Sequence, residues 1–250
     1  MSGTALALDH VGIVVRDAAA ARAAWAMAGF APTPGGRIML RGSYIELLAQ
    51  RPAQPSATLA AMLALGEGAH VLSLRVADAD AAAARLRQAG FAAERVENAR
   101  PGEAAGSGVA RFRRVPLTDM LPRLQLIEQM TPDVVWHPAL PGQPNGALAL
   151  AQAVFVADRP AVFAARLSRF AGIGLAPADG GFLLPLEQGA VRVLSPEALR
   201  RHWPEAVPAN PLPDAPARLV ALALHGSAAM RHQFPGLALR IVAPGDDAPG

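Results

Sequence analysis

His10 and Glu46 are polar residues inside two predicted strands, residues 8–15 and 43–49. Successive side chains of a strand point to opposite faces, so both residues are predicted on the face that does not pack under a helix. A carboxylate there needs a metal ion, a cation or water, because burying it unpaired is costly. Imidazole and carboxylate together suit Fe, Mn, Zn, Ni or Co, and the spacing does not choose among them. The alternative for His10 is a hydrogen bond to a backbone carbonyl.

Four further residues are candidates for lining a cleft on this face of the sheet. Tyr44 shares the predicted face of Glu46. Arg111 and Arg113 alternate on another predicted strand, and if they face the cleft they could hold a carboxylate or phosphate of a substrate; otherwise they are solvated. His137 precedes a proline and is either a loop residue or an acid/base group at the cleft edge.

The elements that would position these residues form a repeat. The first unit begins with a strand, then an alanine-rich helix, then a Gly-Phe pair. The same order returns after residue 69. Acidic residues stand at both helix starts, where they cap free N–H groups. Fainter copies begin at residues 151 and 218, the last with a predicted helix at 227–233. Repeated strand–helix–strand units indicate an α+β protein with its helices on one face of a sheet.

The repeats suggest two halves. Residues 1–130 hold the first module pair, as 1–50 and 69–130, and contain the expected cleft. Residues 131–146 are rich in Pro and Gly and form a linker. Residues 147–250 form a second, degenerate pair.

Composition excludes several function classes. The chain has 250 residues, 52% of them hydrophobic, and no cysteine, which removes disulfides, thiol catalysis and thiolate metal sites. All 23 cationic residues are arginines, and they are dispersed among acids rather than grouped beside aromatics, so nucleic-acid binding is not predicted. No long apolar run predicts a membrane span, and the start lacks a signal-peptide pattern. We expect a cytoplasmic protein with a small-molecule substrate, and a homodimer is left open.

The order of these motifs resembles the vicinal oxygen chelate superfamily, and more narrowly its glyoxalase-like domain proteins (the glyoxalase, bleomycin resistance and extradiol dioxygenase type). The residues that carry the resemblance are LDHVGIVVRD at 8–17, AGF at 28–30, GSYIELL at 42–48 and LIE at 126–128. The segment from Trp136 to Ala147 also resembles the junction before the second half of such proteins. The last hundred residues match only as weak modules.

The resemblance implies about four βαβββ modules that pair into half-open, U-shaped barrels with helices on the outer face. It also implies one divalent metal ion in the cleft, held by His10, Glu46, His70 and Glu128, with Glu46 or Glu128 as general base. His70 departs from the pattern, because alternation puts Val71 rather than His70 at the ligand position. A bulge before Val71 would re-aim His70; without one it points toward the helix.

Two functions follow from the resemblance. The first is a metal-dependent lyase, isomerase or dioxygenase, whose ion chelates a small oxygenated metabolite through two oxygens. The alternative is a metal-free protein that binds or sequesters a small molecule on the same fold, which the phase of His70 and the degenerate second half favour. A third possibility is a dimerisation or regulatory module with its cleft filled by side chains. Convergence of His10, Glu46 and a third ligand at about 2.0–2.2 Å from one point discriminates among them.

Overall fold

The structure is a computed structural model that describes residues 3–206 and 217–244. Within these residues fourteen strands and six α-helices follow one another in modules. The first module pair contains β1 (Ala7–Val14), α1 (Ala18–Met27), β2 (Arg37–Leu40), β3 (Ser43–Leu48), α2 (Ala57–Ala64), β4 (Gly68–Arg75), α3 (Ala79–Gln88), β5 (Val96–Pro101), β6 (Val109–Pro116) and β7 (Arg123–Gln129). A connecting segment carries the short helix α4 (Pro132–Val135).

The second half contains β8 (Ala147–Val156), α5 (Pro160–Ala171), β9 (Ala176–Ala178), β10 (Gly181–Pro185), β11 (Ala190–Leu194), α6 (Pro196–His202), a 3-10 turn (Pro204–Ala206), β12 (Arg218–Gly226), β13 (Met230–Phe234) and β14 (Leu237–Val242). Residues 207–216 and 245–250 of the predicted second pair lie outside the described residues.

The predicted acidic caps begin two of the helices. Asp17 accepts hydrogen bonds from the backbone N–H groups of Ala19 and Ala20 at the start of α1. Asp78 accepts one from Ala81 at the start of α3. Each cap satisfies donors that have no partner inside the helix, so the boundary of each helix follows from its local sequence.

The α+β fold of paired modules is confirmed, and the strands form one open sheet. In each of the first two modules the first strand pairs in parallel with the last, as β1 with β3 and β4 with β7. The modules join through the antiparallel pair of β1 and β4. In the second half β8 and β12 join in the same way. The pair of Leu219 with Ala69 and an isolated bridge between Ala7 and Gln188 connect the two halves.

One face of the sheet carries α1, α3 and α5 on a shared hydrophobic core. Leu72 and Leu74 of β4 and Leu86 of α3 belong to this core, together with Leu167 of α5. Arg85 of α3 binds the second half to the first, because its guanidinium donates to the carbonyls of Gly3, Arg169 and Phe170. Two of these are orphan carbonyls at the C-terminal end of α5, where a cation is favourable.

The opposite face of the first module pair is its inner face, and two helices cover the ends of this face. Met62 of α2 packs against Val14 and Val71 at one end. Val135 of α4 packs against Met39 and Tyr44 at the other. Polar residues lie between these two apolar patches, and they form the candidate site.

The inner face of the second pair is filled by the protein itself. Leu199 of α6 and Trp203, which is fully buried, pack on Val154 of β8 and Val220 of β12. Arg240 stacks over the Trp203 ring at 4.1 Å. Hydrophobic side chains therefore occupy the position of a cleft in this half.

Two details of the predicted modules differ from the structure. Among its described residues, 3–50, the first module has the two strands after its helix that its sequence pattern predicts, whereas the βαβββ module implied by the resemblance has three. The predicted helix at 227–233 is wrong, because residues 227–229 form a turn and β13 follows. Its alternating residues favour a strand, and Phe234 stacks on Trp25 with ring centroids 4.0 Å apart.

No helix of the described residues is long and apolar enough to cross a bilayer.

Candidate functional site

A row of four side chains crosses the inner face, one from each of four adjacent strands. The register places Tyr44 beside His10, His10 beside Ser73 and Ser73 beside Gln125. All four residues are buried. The pairing of β1 with β4 brings the two modules together at this row, so residues distant in sequence meet here.

His10 lies at the centre of a hydrogen-bonded chain. Its Nδ1 is 2.7 Å from a carboxylate oxygen of Asp9, and its Nε2 is 2.7 Å from the Ser73 hydroxyl. An ionised carboxylate can only accept, so Nδ1–H donates to Asp9, and Nε2 of the neutral ring accepts from Ser73. The Gln125 amide donates to the Ser73 hydroxyl oxygen at 2.6 Å. The hydrogen bonds therefore run in one direction, from Gln125 through Ser73 and His10 to Asp9.

Asp9 reaches this chain through a β-bulge. The register between β1 and β4 shifts between Leu8 and His10, which leaves Asp9 as an extra residue and redirects its side chain. The carboxylate is fully buried and accepts two further contacts from the Gln129 amide, at 3.1 and 3.3 Å. Sequence alternation gives no sign of a bulge, and this residue was not among the predicted site residues.

Tyr44 forms the wall beside His10. The two rings stack with centroids 4.5 Å apart and planes 11° from parallel. Burial raises the pKa of Tyr44 well above its ordinary value, and the nearby carboxylates of Asp9 and Glu46 raise it further. The phenol is therefore neutral near pH 7 and can donate a proton in a hydrogen bond.

Glu46 lies on the inner face, two residues along β3 from Tyr44, and is bound to a cation. Arg37, directly opposite it on β2, contacts the Glu46 carboxylate and also that of Glu103. Glu103 accepts in turn from Arg100 at 3.1 Å. This chain of charges links β2 to the loop after β5. A metal ion, a cation or water was predicted as the partner of Glu46, and in the structure the partner is the cation of Arg37.

His70 lies at the predicted bulge but is bound elsewhere. The register between β1 and β4 skips His70 between Ala69 and Val71. Its Nε2 is 2.8 Å from the carbonyl oxygen of Gly66, just after α2, so this nitrogen donates. Burial lowers the pKa of His70, and the positive charge of Arg218 acts in the same direction. The bulge re-aims the ring without bringing it to His10.

Glu128 faces the helix side. The pairing of Ser73 with Gln125 puts odd-numbered residues of β7 on the inner face and Glu128 on the other. There its carboxylate accepts from the backbone N–H of Ala79 at 3.0 Å, at the first residue of α3. The shared parity of Glu128 with the buried Leu126 could have shown this from the sequence.

Arg111 and Arg113 are likewise not on the inner face. Arg113 is paired with Glu128 across β6 and β7, and its guanidinium is 3.9 Å from that carboxylate and 3.8 Å from Asp80 of α3. Arg111 has the same parity and is exposed. The expectation that these two arginines face the cleft is corrected by strand register.

His137 follows α4 and accepts a hydrogen bond from the backbone N–H of Ala139 at 3.2 Å. It lines a surface groove of about 520 Å³ with Trp136, Met39 and Gln143. None of the residues of the His10 row lines this groove. His137 is thus a loop residue, which was one of its two predicted positions.

Two other arginines occupy the inner face. Arg114 is opposite Ile127, and Arg123 is opposite Val71, which places both on the side of Gln125. Arg114 donates to the Asn98 side chain at 2.7 Å, and Arg123 donates to the Thr58 hydroxyl at 3.3 Å. Sequence reasoning missed them, although the buried Val115 beside Arg114 indicates the face by alternation.

A family model described as "Glyoxalase-like domain" matches residues 8–171, more than half of the chain. The protein belongs to this family. A search of curated proteins found no significant match to this glyoxalase-like chain.

Several solved structures share the glyoxalase-like fold. A hypothetical protein from Staphylococcus aureus is 11% identical with a TM-score of 0.66, covering 95% of this chain and 99% of that one. The Mn(II)-bound glyoxalase from Novosphingobium aromaticivorans is 15% identical with a TM-score of 0.53, covering 89% and 66%. A mutant of 4-hydroxymandelate synthase from Streptomyces coelicolor is 13% identical with a TM-score of 0.53, covering 89% and 71%. At these identities the likeness shows the fold.

The residues of this glyoxalase-like chain do not fit a divalent metal centre. Among the described residues no three His, Asp or Glu side chains come together as a possible ligand set. His10, Glu46, His70 and Glu128 bind four different partners at separate places. His10 has both ring nitrogens in hydrogen bonds, and Glu46 faces an arginine rather than a second histidine.

Proposed function

We propose that this glyoxalase-like protein binds a small oxygenated molecule on the inner face of the first module pair, without a metal ion held by its own side chains. The observation that carries the proposal is the hydrogen-bonded chain from Asp9 through His10 and Ser73 to Gln125. It places a polar, directional set of groups where the resemblance implies a metal ion.

The chain supports proton transfer at His10. Asp9 accepts from Nδ1–H, which leaves the free lone pair of the ring on Nε2. Nε2 is the basic nitrogen, and it faces the Ser73 hydroxyl. A bound hydroxyl or an acidic C–H group in place of that hydroxyl would transfer its proton to Nε2. Lyase or isomerase chemistry of this kind is the activity that the site supports, and simple binding or sequestration needs the same residues.

A metal-dependent enzyme is the second candidate. His10 and Glu46 lie on the same face, two register positions apart on neighbouring strands, and a structural neighbour is the Mn(II)-bound glyoxalase. For a metal ion to bind there, Glu46 has to leave Arg37 and His10 has to release Ser73. The lyase, isomerase and dioxygenase reactions that depend on such an ion belong to this candidate.

Metal analysis of untagged protein separates the two candidates. Wild type, Glu46→Ala and the control Glu94→Ala, which removes an exposed carboxylate elsewhere in the first pair, are each incubated with Mn, Fe, Ni, Co or Zn and desalted. We expect less than stoichiometric metal in all three. Stoichiometric metal in wild type and in Glu94→Ala, lost in Glu46→Ala, would establish the metal-dependent candidate instead.

Binding at His10 has its own test. Long-range ¹H–¹⁵N spectra report the tautomer of each imidazole, and we expect the Nδ1–H form for His10. Small hydroxy and keto compounds that bind should shift the Nε2 signal of His10 and leave that of His202 unchanged. A set of such compounds that shifts neither ring would count against a binding role for the inner face.

A further inference from the structure

Arg114 and Arg123 project onto the inner face beside the His10 row. On β7, Arg123 is two residues before Gln125, so the two side chains lie on the same face about 7 Å apart along the strand. Arg114 is on the same face of β6, where it pairs with Ile127, four residues along β7 from Arg123, and its charge acts on Arg123. The two arginines therefore flank the position of Gln125 on the inner face.

Neither arginine has an ionic partner among the described residues. Both are half-buried, and their hydrogen-bond partners are the neutral oxygens of Asn98 and Thr58. The other cations of the cleft are different, because Arg37 and Arg100 both contact Glu103. A half-buried guanidinium without a carboxylate retains most of the cost of desolvating its charge.

No carboxylate of the described residues forms an ion pair with Arg114 or Arg123, and the two guanidinium groups repel each other. Burial lowers the pKa of Arg114 and of Arg123, and the charge of Arg114 lowers the Arg123 pKa further. Thr58, the hydrogen-bond partner of Arg123, is in the first turn of α2. The N-terminal end of a helix carries partial positive charge, so a third positive group adjoins the pair. An anion placed here would be attracted by all three.

We propose that Arg114 and Arg123 hold the carboxylate or phosphate of a small anionic ligand, whose oxygenated remainder lies toward Gln125 and His10. The inference rests on the proposed binding of a small molecule at the inner face and names its chemical class. Guanidinium groups suit both anions, because their planar N–H donors match two oxygens at once. The position of Arg123 next to Gln125 puts the anion within one small molecule's length of His10.

Anion binding can be measured without knowing the substrate. Inorganic phosphate and malonate are titrated into the protein at constant ionic strength, with chloride replacing the anion, and Tm and calorimetric heats are recorded. Wild type should show a saturable rise in Tm with at least one of the two anions, and the better probe indicates phosphate or carboxylate. Arg114→Gln and Arg123→Gln should each weaken binding about 10-fold or more, the loss expected for one charge-assisted contact.

Matched controls separate a ligand site from a structural one. Arg111→Gln removes an exposed arginine of the same strand that faces the other way, and it should bind anions as wild type does. Without anion, Arg114→Gln and Arg123→Gln should have unchanged or higher Tm, because they relieve repulsion. A large loss of Tm without anion, or anion binding equal to wild type in both variants, would overturn the proposal.

The outcomes also separate this inference from the proposed function. His10→Gln should retain the Tm increment from phosphate or malonate, since it leaves both arginines in place. If wild type holds stoichiometric metal and still binds anions through the two arginines, the metal-independent function fails and the anion site stands. If neither anion gives a saturable effect while no metal binds, the anion site fails alone.

Discussion

Replacing Glu128 tests whether this residue caps a helix or serves the cleft. Its carboxylate accepts from the N–H of Ala79, the first residue of α3, at 3.0 Å, and only 19% of the side chain is exposed. Ala79 is fully buried, so water cannot easily replace the lost acceptor. Glu128→Ala is therefore expected to lower the free energy of unfolding.

The magnitude follows from two contributions. A hydrogen bond to a charged group contributes about 1.5–3 kcal/mol, and a carboxylate beside a helix N-terminus adds about 0.3–1 kcal/mol. Arg113 loses a contact at 3.9 Å but keeps Asp80 and Glu97. We expect a loss of about 2–3 kcal/mol for Glu128→Ala, which corresponds to roughly 5–10 °C in Tm for a chain of this size. Glu128→Gln keeps an acceptor oxygen and should lose about 1 kcal/mol.

Urea unfolding followed by circular dichroism measures these differences, with an unchanged m-value showing that only stability changed. Glu94→Ala is the control and should be within about 0.5 kcal/mol of wild type, as an exposed substitution. The reasoning is refuted if Glu128→Ala unfolds as wild type does, or if it leaves stability intact and abolishes binding of a cleft ligand or a metal ion.

Three other substitutions test neighbouring parts of the structure. Burial lowers the pKa of His70 below that of the unfolded chain, near 6.5, so its contribution to stability is present above about pH 6.5 and is lost as the pH falls. In His70→Gln the urea unfolding midpoint should therefore change less than in wild type between about pH 6.5 and 5. A pH dependence parallel to that of wild type would contradict this. Trp203→Ala should cost about 3–5 kcal/mol by calorimetry, because the fully buried ring fills the inner face of the second pair; a small loss would indicate an adaptable cleft there. Asp9→Ala removes the acceptor of His10 and Gln129 in a buried site, so the free energy of unfolding should fall by about 2–4 kcal/mol. NMR spectra should show that His10 leaves the Nδ1–H form. An unchanged tautomer would argue against donation from Nδ1–H to Asp9.

Strand alternation was sufficient for some of the site. It placed His10, Tyr44 and Glu46 on one face because β1 and β3 contain continuous apolar rows on the other. The same rule places Ser73 between Leu72 and Leu74 on that face. Local sequence also specifies the caps at Asp17 and Asp78, since capping depends only on adjacent backbone groups.

Other parts depend on register and on contacts distant in sequence. The bulge that brings Asp9 to His10 is set by the pairing of β1 with β4, which alternation within one strand does not contain. The Arg37 partner of Glu46 depends on the hairpin of β2 and β3. For Glu128 the family resemblance and the local alternation disagreed, and the structure follows the alternation that aligns it with Leu124 and Leu126.

The two module pairs show why the first has the stronger case for a ligand. In the second pair α6 and Trp203 cover the inner face, where Arg192 is buried and Arg240 stacks on Trp203 and donates to the Glu205 carboxylate. In the first pair two half-buried arginines without carboxylate partners among the described residues lie on the inner face. Such groups lower stability unless something binds them. A neutral polar face would serve folding better, so the two unpaired arginines favour the proposal that the first pair binds a small anion.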